Sequence, residues 1–213
     1  MTELRIDDPG DAVVTLLLAH GAGAGMDHEW MGAVAAELAA RRLRVVRFEF
    51  PFMAARRRGT RPGPDRMPKL LESFREVAAA QPRPLVLAGK SMGGRVATML
   101  VDELDCLGAV AFGYPFHPPG KPDRLRTAHL EEVQRPVLIL QGERDAFGGR
   151  DEVAGYGLAA QVDVRWLPDG DHSLAPRQRS GKTLEQNLGQ AADEAAAFCR
   201  DLVARAPRAR RGC

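Results

Sequence analysis

Cysteine is scarce in this chain, with three residues among 213: Cys106, Cys199 and Cys213. An odd count without regular spacing gives neither a disulfide framework nor a zinc-ligand pattern. The three suit a reducing compartment, with Cys106 and Cys199 expected in the core. Long apolar runs are missing as well, and none approaches the ~18 residues of a membrane-spanning helix. Met1-Thr2-Glu3-Leu4-Arg5 has neither the basic nor the apolar segment of a secretory signal. A cytoplasmic protein without a membrane partner is therefore expected. Lysine numbers only 4 against 26 arginines, and the formal net charge is +2. That balance calls for no nucleic-acid partner, and the basic stretch Arg205–Arg211 lacks the interleaved aromatics that would suggest one. Serine is as rare as lysine, with four residues, one of them in the most informative stretch of the chain.

What is present is an alternation. Val13–Ala19, Arg44–Phe50, Leu85–Ala88, Leu107–Phe112, Pro136–Leu140 and Val162–Leu167 are apolar runs of strand length. Glu29–Arg41, Pro68–Ala80, Arg95–Leu104, Gly149–Ala160 and Leu184–Ala204 read as helices. Leu70, Leu71, Phe74 and Val77 fall on one side of the second of these. Near-continuous apolar strands separated by amphipathic helices predict an α/β fold. The expected form is a doubly wound, mostly parallel sheet of about six to seven strands with helices on both faces. About 12 residues precede the first clear strand, room for one short extra strand. The length predicts one domain, residues 1–205, followed by a basic tail, 206–213, expected to be disordered. Ala54–Asp65, with Arg56-Arg57-Arg58 at its centre, reads as an irregular basic loop, either solvated or set against an acidic group.

Gly89-Lys90-Ser91-Met92-Gly93 lies between a predicted strand and a predicted helix. Composition alone gives about 0.04 such Gly-x-Ser-x-Gly stretches per chain, and the flanking elements add the context the motif needs. The pattern is that of a nucleophile elbow, a turn so sharp that side chains two before and two after the serine would collide. Gly94 lets the helix start close to the strand. In a parallel sheet, ligands bind beyond the carboxyl ends of the strands. Four such ends carry Ser91, Asp145, Asp169-Gly170-Asp171-His172 and His20-Gly21-Ala22-Gly23. A serine hydroxyl needs a base, histidine titrates near neutrality, and a carboxylate fixes the imidazole. Ser91 is therefore assigned as nucleophile, His172 as base then acid, and Asp145 as orienter. Asp169 and Asp171 remain alternative carboxylates, and His20, His28, His117 and His129 alternative histidines. His20 is better placed to hold the Gly-rich loop. The oxyanion donors are expected at the backbone N–H of Met92 and of Ala22, with Gly21 next.

The chain resembles an α/β-hydrolase over nearly its whole length. More narrowly, it is similar to small bacterial hydrolases described as dienelactone-hydrolase-like. That group is related to the hydrolase-like domain of a subunit of the eukaryotic non-specific lethal complex and to testis-expressed homologues. The resemblance rests on His20–Gly23, Val46–Phe52, Gly89–Arg95, Gly113–Pro122, Gln141–Gly148 and Trp166–Ser173. It implies an intact triad of Ser91, Asp145 and His172, without naming a substrate. Dienelactone hydrolases proper use a cysteine where this chain has Ser91.

Only 23 residues, Gly113–Arg135, follow the fourth strand before the next, too few for a cap domain. A minimal fold with an open site is expected, roofed by Phe52, Met53, Tyr114, Phe116 and Phe147. His117 and Lys90 are further candidates for the substrate pocket, Lys90 either meeting an anionic substrate or facing solvent. The expected activity is that of a serine hydrolase of carboxylic esters or related small acyl compounds. It needs no metal and no organic cofactor, and acts as a monomer or homodimer. A hydrolase-fold interaction module with little activity, and an acyltransferase, are the competing expectations.

Overall fold

A computed structural model describes residues 3–206. The expected tail therefore lies, beyond Ala206, outside the described residues, as does Cys213. Seven strands form one sheet: β1 (Leu4–Asp7), β2 (Thr15–Ala19), β3 (Arg44–Phe48), β4 (Leu85–Lys90), β5 (Ala109–Phe112), β6 (Val137–Gly142) and β7 (Val162–Leu167). Their spatial order is β1-β3-β2-β4-β5-β6-β7. β1 runs antiparallel to β3, and every other pairing is parallel. The chain starts at one edge with β1, enters the interior at β2, steps back out to β3, then crosses to β4 and builds the other half. The crevice where this direction reverses is where parallel sheets hold ligands.

The alternation of side chains along each strand splits the core into two layers. Leu17, Val46, Leu85 and Leu87 face one side, where α3 (Met67–Ala79) and α4 (Met92–Leu100) supply Leu70, Phe74, Val96 and Leu100. Leu16, Leu18, Val86 and Ala88 face the other, covered by α1 (Glu29–Ala39) and α7 (Leu184–Arg205). The central strands β2, β4, β5 and β6 are buried on both faces, which is why they read as continuous apolar runs. Each fully buried leucine or phenylalanine in these layers contributes about 1.5–3 kcal/mol. Small residues on α7 (Ala191, Ala192, Ala195 and Ala196) lie fully or almost fully buried against the sheet face. Cys106 and Cys199 are both free and buried, as core residues.

Two expectations are corrected. The segment Ala54–Asp65 is not wholly irregular, because a helix, α2, spans Pro51–Arg57. Proline at its first position suits a helix start, and only the part from Arg58 onward is loop. Gly149–Ala160 is not one helix: α6 covers only Arg150–Val153. Gly155 and Gly157 follow within four residues and deny the helix its continuation. One further short helix, α5 (Ala128–Glu132), lies between β5 and β6, and no cap domain stands there.

Candidate active site

Ser91 joins β4 to α4 with φ 52° and ψ −114°, a backbone state that side chains rarely adopt. Crowding imposes it. A Cβ on Gly93 would stand 2.6 Å from the carbonyl oxygens of both Ala19 and His20, and one on Gly89 would enter the backbone of Gly93. Gly94 lies against Gly89 and Ala111 in the same way. The helix thus starts hard against the strands, and its first N–H groups, Met92's among them, have no intrahelical acceptors.

The side chains expected to cooperate do meet. The Ser91 hydroxyl donates to His172 Nε2 at 2.8 Å, and His172 Nδ1 donates to Asp145 Oδ2 at 2.8 Å. Asp145 follows β6 and is buried, its Oδ1 accepting the Phe147 N–H at 2.8 Å. Its Oδ2 also accepts from Gln141 Nε2 at 2.9 Å. Gln141 is itself fully buried, its Oε1 taking the Tyr114 N–H at 2.7 Å and its Nε2 also facing the Tyr114 and Gly148 carbonyls. The Phe147 ring stacks on the imidazole of His172 with centroids 4.0 Å apart. Such a chain of hydroxyl, imidazole and carboxylate can move a proton off the serine while the carboxylate holds the ring.

The other candidates fall elsewhere. Asp169 is bound by Arg177 and Arg144, and the Arg177 guanidinium holds its carboxyl down to about 2. Asp171 accepts the N–H groups of Ser173 and Ala175. Buried His20 donates from Nδ1 to the Gly21 carbonyl at 2.6 Å and accepts the Phe50 N–H at Nε2. Its burial pushes its pKa down, and it ties the Gly-rich loop to β3's end. His28 caps α1 by accepting the Trp30 N–H. His129 pairs with Thr98, and burial pulls it down to about 4.

A cleft of about 370 Å³ opens over Ser91 and His172. Its walls are Gly21, Ala22, Gly23, Ala24, His28, Trp30, Met31, Lys90, Phe147 and Ser173. A Cβ on Gly21 would come within 3.6 Å of Ser91 Cβ, so the Gly-rich loop after β2 faces Ser91. Of the aromatic residues expected around the pocket, only Phe147 lines this cleft. Tyr114 and Phe116 are fully buried, and Phe52 and His117 are each 2% exposed. Tyr114 donates its hydroxyl to the Arg126 carbonyl, Phe116 packs beneath Gly148 and Tyr156, and His117 bonds the Pro118 carbonyl. Phe52 stacks edge-on to His20 in the core, and Met53 lines a neighbouring cavity. His28, an alternative base in the sequence, is instead part of the wall, and Ala24, Trp30, Met31 and Ser173 join it without having been expected there. Trp30 and Met31 stand at core positions of α1, and nothing in the sequence distinguishes a core face from one that also borders a cleft.

Lys90 is not solvent-facing. It is 9% exposed, its Nζ donates to the His172 carbonyl at 2.5 Å, and it lies 5.5 Å from the centroid of the Trp30 ring. Burial pulls its pKa down to about 8, with Asp145 and Asp171 opposing that fall.

Residues 12–200 match the family model described as an alpha/beta hydrolase domain, and the chain belongs to that family. Among solved structures, it is similar to an α/β serine hydrolase without a lid from Xanthomonas campestris, at 22% identity and TM-score 0.71, covering 92% of this chain and 89% of that one. The esterase domain of a Rhodothermus marinus protein aligns at 17% identity and TM-score 0.69, over 94% and 92% of the two chains. A dienelactone hydrolase from Anabaena variabilis aligns at 19% identity and TM-score 0.67, over 94% and 91%. No curated protein sequence matches the chain. Among the described residues, no helix is long and apolar enough to cross a membrane.

Proposed function

We propose that the protein is a serine hydrolase of carboxylic esters or related small acyl compounds, working through an acyl-serine intermediate. The observation that carries this reading is the unbroken pair of 2.8 Å contacts from Ser91 through His172 to Asp145 at the floor of an open cleft. His172 Nε2 takes the serine proton as Ser91 Oγ attacks the acyl carbon, and Asp145 steadies the imidazolium. The oxyanion that forms is received by the N–H of Met92 and by that of Ala22 or Gly21. A lost donor of this kind costs about 2.7–4 kcal/mol in the transition state. The imidazolium then protonates the leaving alcohol, and a water activated by the same nitrogen releases the acid. The family membership and the printed descriptions of the similar structures, a serine hydrolase and an esterase domain, agree with this chemistry.

Intact-protein mass spectrometry after exposure to a fluorophosphonate tests it. The expected result is one adduct on the wild type and none on Ser91→Ala. A wild type that stays unlabelled while folded would replace the hydrolase reading with that of an interaction module.

A further inference from the structure

Resting on the hydrolase reading above, we infer that Lys90 is a positioning residue that fixes the loop bearing His172. The geometry is a two-point clamp. Lys90 Nζ donates to the carbonyl of His172, and Trp30 Nε1 donates to the carbonyl of Ser173 at 2.8 Å. Two consecutive carbonyls of the catalytic loop are thus held by donors from β4 and α1. The same tryptophan ring carries the ammonium on its face, so each half of the clamp braces the other.

Backbone shape preserves this arrangement. Gly113, at φ +63°, leaves room for the ammonium, since a Cβ there would lie 2.8 Å from Lys90 Nζ and against the His172 carbonyl. A lysine ammonium so enclosed forfeits hydration and is expected to have a reason for its place. Among the described residues, no carboxylate forms an ion pair with it directly. The charged and titratable groups around it are Asp145 beyond β6, Asp171 and His172 beyond β7, and His28 at the start of α1. Its hydrogen bond goes to the backbone of the very residue that must approach Ser91. Its Nζ is thereby committed to the protein rather than offered to a substrate anion.

A misplaced imidazole lowers turnover, and a shift of about 1 Å is enough to lose about 10²-fold. The effect falls on kcat, because the clamp touches no substrate. The test uses the full-length wild type, Lys90→Met and Lys90→Gln. Two readouts are taken: steady-state hydrolysis of 4-nitrophenyl acetate, and the far-downfield proton NMR resonance of His172 Nδ1–H in its bond to Asp145. Lys90→Met is expected to lower kcat about 10–100-fold with KM changed less than about threefold. Its downfield resonance is expected to broaden or vanish. Lys90→Gln keeps an N–H donor and is expected to recover part of both. A Lys90→Met enzyme with wild-type kcat and an unaltered resonance would overturn the inference. The resonance is read without turnover, so an inactive wild type with an intact resonance that Lys90→Met removes would sink the hydrolase reading alone.

Discussion

At the scale of single residues, Ser91 stores strain that a glycine would release. Its φ of 52° with ψ of −114° costs a side-chain-bearing residue about 1–3 kcal/mol. Ser91→Gly is therefore expected to be more stable than Ser91→Ala by about 1 kcal/mol in urea denaturation, both being inactive. Equal stabilities would mean that the elbow is relaxed. Lys90 makes a second prediction, on stability. The folded chain holds it at about 8, below the ordinary 10.5. Between these values the unfolded chain keeps a proton that the folded chain has released, so the contribution of Lys90 to stability rises with pH across that window. Below about pH 8 both states are protonated and the contribution is constant and unfavourable. Subtracting the Lys90→Met profile from the wild type should expose this rise. A flat difference would show that the ammonium is well solvated.

At the scale of elements, the meeting of β4 and α4 sets the tolerance of the whole site. Gly93→Ala would drive a methyl into two backbone carbonyls that cannot yield without moving β2. The expected loss is about 3 kcal/mol or more, read from thermal denaturation. A fully stable variant would show that α4 can slide. This junction was legible in the sequence because its glycines, serine and flanking apolar runs all answer to one steric requirement. Ser91, Asp145 and His172 were legible for a related reason: each follows a strand, so the strand ends bring them to one edge. The walls of the cleft were not. Tyr114 and Phe116 also follow a strand, yet their rings turn inward beneath the loop that carries Asp145. Trp30 and Met31 look like ordinary apolar residues of an amphipathic helix. Arg56 and Arg57 suggested loop through their charge, whereas Pro51 carried the stronger signal for a helix. A residue's element follows from local chemistry, but the direction a loop side chain takes is decided by what lies under it.

At the scale of the whole molecule, the sheet presents its carboxyl edge with little above it. The segment between β5 and β6 holds one helix of five residues, and the cleft amounts to about 370 Å³. Such a cleft seats a short acyl group and leaves a long one in water, where its methylenes add no binding. Across 4-nitrophenyl esters, kcat/KM is expected to stay level within about threefold from butyrate to palmitate. A rise along the series would point to a longer apolar surface joining the cleft.

The chain holds only two tryptophans, Trp30 and Trp166. Trp30 borders the cleft and lies against an ammonium that titrates, whereas Trp166 stands on β7 beside Arg150. Replacing Trp166 by phenylalanine would leave one indole emitting from the wall of the site. Its fluorescence would then report both ligand entry and the protonation of Lys90, giving the protein a built-in optical probe.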